Sequence, residues 1–123
     1  MSALADLIVS VAPRMDHCVL TLDGELDLSN ATALTRLLER TVAAGEVRIV
    51  VDASGLRFCD SAGLRLLMVG ANRCTAAGGW LRLATPQAHL ARALAVTGLL
   101  PALPTYRSLA GAAAGTSSDR IAD

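Results

Sequence analysis

Apolar positions along the chain follow two periods. "LIVSVA" (7–12) and "CVLTLDG" (18–24) are short, β-prone runs, and the Pro13 to Asp16 break between them suits a hairpin. Across residues 29–44 the period changes: Leu34, Leu37, Leu38 and Val42 recur at helical spacing, with Thr32, Arg36, Glu39 and Arg40 opposite them. An amphipathic helix is predicted there, with Asp27 or Ser29 as N-cap and Gly45 as its stop. "VRIVVD" (47–52) is apolar on both faces, as a central strand covered by helices should be. From 61 to about 76 the pattern is apolar nearly all round except for Arg65, Asn72 and Arg73, which share one arc of a helical wheel. Gly78 and Gly79 end that helix, and "WLRLA" (80–84) alternates as a strand. Thr85 and Pro86 supply an N-cap and a first-turn proline for a helix that turns Leu90 and Leu94 inward and stops at Gly98. Pro101 and Pro104 bracket a possible edge strand, and 106–114 reads as a weak last helix. This order predicts an α/β fold: a small mixed β-sheet of four to five strands packed with about four α-helices.

Composition narrows the function classes. The 123 residues suffice for one domain with its own core. No apolar run reaches the roughly 20 positions of a membrane span, and "MSALADLIVS" lacks the basic start and cleavage site of a secretory signal, so a soluble cytoplasmic protein is expected. Eleven basic residues balance eleven acidic ones and aromatics are only 2%, which leaves neither a phosphate-seeking field nor stacking platforms for nucleic acid. Cys18, Cys59 and Cys74 have no metal-ligand spacing, and neither glycine-rich nucleotide fingerprint occurs, so no metal or cofactor is expected. The Ala/Gly/Ser-rich stretch 111–123 predicts a disordered tail behind a domain at 1–110.

In an open α/β sheet, function collects where strands hand over to helices, because backbone N–H groups and the helix dipole point outward there. Three such ends can be placed: "DGELDLS", "DASGLRFCDSAG" and "ATPQ". Reactive side chains concentrate only in the second. Ser61 lacks the G-x-S-x-G elbow of a hydrolase, and His17 and His89 lie in a hairpin and a late helix. Cys59 and Arg65 form C-x5-R, the spacing of phosphatases that wrap phosphate in a strand-to-helix loop, but Asp60 would repel the phosphate and raise the thiol's pKa. Asp52 ends a strand like a receiver's phosphoacceptor, yet the chain has no lysine to complete such a site. A serine before Ala-Gly at a helix start is also an ordinary N-cap, and Asp27 equally so.

Taken together, "GELDLSNA" (24–31), "VVDASGLRFCDSAGLRLL" (50–67), "GGWLRLATP" (78–86) and "LAVTGLL" (94–100) resemble, in order and spacing, the STAS domains of bacterial anti-sigma factor antagonists. The resemblance implies a single STAS-type domain without enzymatic activity. It puts a phosphoacceptor serine at Ser61, in the D-S-x-G-L motif of residues 60–64. It also implies a partner-binding surface of Asp27, Asp60, Ala62, Gly63 and Arg65, with Gly63 allowing close backbone approach. The implied partners are an anti-sigma factor that is itself a serine kinase, and a serine phosphatase that removes the phosphate. A STAS scaffold of a larger signalling complex without a sigma factor is the alternative within the same family.

Overall fold

A computed structural model describes residues 1–122. One six-stranded sheet runs in chain order through β1 (Ser2–Leu4), β2 (Leu7–Pro13), β3 (Cys18–Leu26), β4 (Arg48–Cys59), β5 (Trp80–Ala84) and β6 (Thr105–Tyr106). β1, β2 and β3 pair antiparallel, whereas β3, β4, β5 and β6 pair parallel. Helices α1 (Leu28–Ala43), α2 (Ser61–Ala76) and α3 (Ala88–Val96) fill the parallel crossovers, and α4 (Leu109–Ala114) with a short 3-10 turn (Ser117–Asp119) closes the described chain. The four helices agree with expectation, and the sheet exceeds it. β1 is unexpected, its three residues being too few to show an alternation, and the edge strand expected between Pro101 and Pro104 forms instead at Thr105–Tyr106, so the last helix starts at Leu109 and not at Tyr106.

Strand alternation splits the core in two. Cys18, Leu20, Leu22, Ile49, Val51, Leu81 and Leu83 face α1, α2 and α3, meeting Leu34, Leu37, Leu38, Leu67, Leu90 and Leu94 as the helical spacing predicts. Each fully buried leucine of this set contributes about 1.5–3 kcal/mol of transfer free energy. The intervening Val19, Val50 and Ala84 turn to the other side, where Tyr106 and Ala112 cover them with half-buried Trp80 and Ala113. No described helix is long and apolar enough to cross a membrane.

The central strand is longer than its apolar run. β4 continues seven residues past Asp52, through the small Ser54-Gly55 pair. Its pairing with β3 steps from Thr21↔Asp52 to Asp23↔Gly55 and from Gly24↔Leu56 to Glu25↔Phe58, so β4 carries one extra residue at each step. These bulges absorb the small residues without ending the strand. Their result is that Leu26 and Cys59, the last residues of β3 and β4, lie opposite one another. α1 and α2 therefore begin side by side.

Two expectations are corrected. Thr85 is not the cap of α3, which starts behind Gln87. Thr85 instead adopts a positive φ of 54°, uncommon for a β-branched residue, and donates its hydroxyl to Asp52 Oδ1 at 2.8 Å. The end of the chain also departs from the disordered tail expected over 111–123. Gly111 and Ala112 are buried, Ser108 Oγ caps Gly111 N–H at 2.9 Å, and Asp119 Oδ2 accepts from the Ser108 amide and hydroxyl at 3.0 and 2.8 Å. The Ile121 amide then donates to Thr105 O at 2.7 Å. Small-residue composition argues for disorder only where nothing caps the backbone, and here Asp119 and Ser108 do so. Asp123 lies outside the described residues.

Candidate site at the paired helix starts

Asp27 and Asp60 immediately follow the facing ends of β3 and β4, and each caps the helix that comes next. Asp27 Oδ1 accepts the Ser29 amide at 2.9 Å, while the Asp27 amide donates to Asn30 Oδ1 at 3.1 Å. Asp60 spans both helices: Oδ1 accepts Gly63 N–H of α2 at 2.9 Å, and Oδ2 accepts Leu28 N–H of α1 at 3.1 Å. One carboxylate thus satisfies an orphan amide at each of two positive helix ends. The Asp60 amide donates to Leu26 O at 3.1 Å, tying the junction to the sheet.

Because Asp60 holds the cap position, Ser61 is the first residue of α2 and its hydroxyl is not needed for capping. Ser61 is exposed, and Arg65 is exposed one turn further on. Both line a groove of about 460 Å³ between α2 and the segment after α3, together with Ala62, Met68, Thr97 and Leu99. A second groove of about 240 Å³ lies between α1 and α2, lined by Ala31, Thr35, Ala62, Arg65 and Val69. Ala62 and Arg65 form the ridge between the two. Gly63 is buried beneath this ridge: a Cβ there would stand 2.7 Å from Cys59 Sγ and 2.8 Å from Leu26 Cγ, so only glycine lets α2 settle onto the strand ends. The structure thus brings Asp27, Asp60, Ser61, Ala62, Gly63 and Arg65 to one edge of the fold.

Three further features escaped the sequence reading. Asn30 is only 2% exposed and donates to Glu25 O at 2.8 Å and Leu4 O at 3.3 Å, fastening α1 to β3 and β1. An asparagine one turn into a helix gives no local sign of such a distant role. Leu28 is 78% exposed in the first turn of α1, and Val96 is 80% exposed at the end of α3. Leu28 lies outside the Leu34/Leu37/Leu38 stripe, and that mismatch was a readable signal.

The C-x5-R reading fares poorly. Cys59 is the last residue of β4, half-buried against the first turn of α2, and not on an open phosphate-binding loop. Burial, with the neighbouring Asp60 charge, pushes its thiol up to about 12. A phosphatase nucleophile needs the opposite shift, toward a thiolate at neutral pH. At pH 8 the protonated thiol should be alkylated by iodoacetamide far more slowly than free cysteine; mass spectrometry of the Cys59 peptide checks this, and free-cysteine rates would revive the enzyme. Asp52 is likewise engaged internally. Burial raises its pKa, but the Ser54 amide and the Thr85 hydroxyl outweigh it and hold the carboxyl below its usual value.

Comparison with known proteins agrees with this architecture. The sequence profile described as Mlab, STAS domain matches residues 9–103. The anti-sigma-F factor antagonist RsfB of Mycobacterium tuberculosis is 37% identical over 67 residues, 54% of this chain and 55% of RsfB, so the match spans about half of that relative's length. BtrV of Bordetella bronchiseptica, a candidate anti-sigma factor antagonist, is 32% identical over 93 residues, 76% of this chain and 80% of BtrV. The crystal structure of an anti-sigma factor antagonist from Mycobacterium paratuberculosis superposes with a TM-score of 0.81 at 25% identity, covering 94% of this chain and 97% of that one. With the profile match across most of the chain and the shared fold, this protein belongs to the STAS domain family.

Proposed function

We propose that the chain antagonises an anti-sigma factor that is also a serine kinase. The unphosphorylated form binds that partner and frees the sigma factor; transfer of the γ-phosphoryl group of ATP to Ser61 Oγ ends the binding, and a serine phosphatase restores it. The observation that carries this reading is the state of Ser61: its side chain is exposed at the start of a helix whose cap is already supplied by Asp60. A kinase can take such a hydroxyl without dismantling the fold.

The surroundings suit a protein partner. Leu28, whose amide donates to Asp60, is exposed at the start of α1, and Val96 adjoins the Ser61 groove through Thr97. Exposed apolar side chains gathered beside two grooves are what a docking face offers. Asp27 and Asp60 shape this face by fixing the helix starts, while Arg65 and Ala62 present its ridge.

Intact mass with site mapping, after incubation with ATP and an anti-sigma kinase from the same cell, tests the assignment. One phosphate is expected on the wild type, mapped to Ser61, and none on Ser61→Ala. A phosphate mapped elsewhere, or none with any such kinase, would favour an unregulated scaffold.

A further inference from the structure

We infer that a phosphate on Ser61 is held in cis by Arg65, so that phosphorylation withdraws a cation from the partner face as it adds an anion. This rests on Ser61 being the phosphoacceptor. Ser61 and Arg65 stand four residues apart on α2, about 6 Å along its axis and on one face. Both are exposed and both line the same groove. An acidic group N-terminal to a basic one at this spacing is the favourable orientation, matching the helix dipole.

The neighbours direct the phosphate toward Arg65. Asp60 cannot swing away, because its two oxygens hold Leu28 N–H and Gly63 N–H, and its charge repels a phosphate from that side. Gly63 N–H is thereby occupied, and Leu64 N–H is bonded to Asp60 O at 3.0 Å, which leaves the amides of Ser61 and Ala62 in the first turn. Among the described residues Arg65 has no ion-pair partner, unlike Arg57, paired with Asp23, and Arg73, paired with Glu39. Arg65 is also the sole basic side chain lining the groove. A phosphoserine with three acceptor oxygens supplies what its guanidinium lacks.

The consequence for the switch is twofold. In the unphosphorylated protein Arg65 is available to an acidic group of the partner; in the phosphorylated one it is folded onto residue 61, across the groove mouth. Release then needs no rearrangement of the sheet or of helix α2.

Phosphoserine placed at position 61 during translation, without any kinase, allows a direct test by phosphorus NMR titration. A nearby cation favours the dianion, so the second phosphate pKa should be lower with Arg65 present than in Arg65→Gln, by a few tenths of a unit. Arg65→Lys should restore part of the difference, and roughly 1 M salt should shrink it. Equal values in the wild type and Arg65→Gln would overturn the pairing while leaving the Ser61 assignment intact. Conversely, failure of every anti-sigma kinase to modify Ser61 would remove the assignment, while the measured pairing would stand.

Discussion

Phosphorylated at Ser61, the protein is expected to bind its anti-sigma partner roughly 30-fold to several thousand-fold more weakly than the unphosphorylated form. The magnitude follows from burying, at an interface, added charge that the partner does not match and that one Arg65 only partly offsets, on the order of 2–5 kcal/mol. Close to two negative charges would arrive on a surface where Ser61 otherwise presents a neutral hydroxyl beside Ala62, Met68 and Leu99. Isothermal titration calorimetry of both forms measures the effect. Far-ultraviolet circular dichroism should be unchanged, since the start of α2 tolerates negative charge. An affinity change within a factor of roughly 3, about 0.6 kcal/mol, would show that Ser61 does not control the interface. Loss of helical signal on phosphorylation would instead assign the switch to unfolding. Ser61→Ala should bind as tightly as the unphosphorylated wild type and escape release.

Replacing Asp60 should have the largest effect on stability at this edge. Asp60→Ala removes an acceptor from two helix starts at once, at Gly63 and at Leu28. A lost cap costs about 1 kcal/mol, so a loss of roughly 2 kcal/mol is expected, on the order of 10 °C in Tm. Asp60→Asn, which keeps one acceptor oxygen, should lose less. Urea denaturation should report a lower midpoint with an unchanged slope, as befits a local loss in a two-state fold. Arg65→Gln is the internal comparison: it is exposed on the same helix and should stay within about 0.5 kcal/mol of the wild type. An Asp60→Ala protein as stable as Arg65→Gln would show that the shared cap contributes nothing. The pair of variants also separates roles, because Asp60 acts through the fold whereas Arg65 acts at the surface.

Periodicity made much of the architecture legible. Leu34, Leu37 and Leu38 mark α1, Leu90 and Leu94 mark α3, and the interruptions Arg65, Asn72 and Arg73 mark the outer arc of α2, where all three are exposed. Such patterns survive in the sequence because a helix buries one face and its neighbours along the chain record which. The candidate site was legible too: D-S-A-G-L at residues 60–64 sits where a strand gives way to a helix, and Ser61 is accessible there. Less legible was the division of labour within it. Whether Asp60 or Ser61 caps α2 depends on backbone angles, and Asp60 takes the extended conformation of a cap, with φ −84° and ψ −176°.

By itself, then, the sequence determined the order of the elements from β2 to α3, the inward faces of the helices and the strand-to-helix turn that carries Ser61. Tertiary structure alone decided that β4 passes through Ser54-Gly55 on two bulges, that Thr85 turns back to Asp52, that Asp119 orders the end of the chain, and that Asp60 joins two helices. The physical reason is separation along the chain. Asp60 and Leu28 are 32 residues apart, Thr85 and Asp52 33, and a hydrogen bond between groups so distant leaves no periodic trace near either of them.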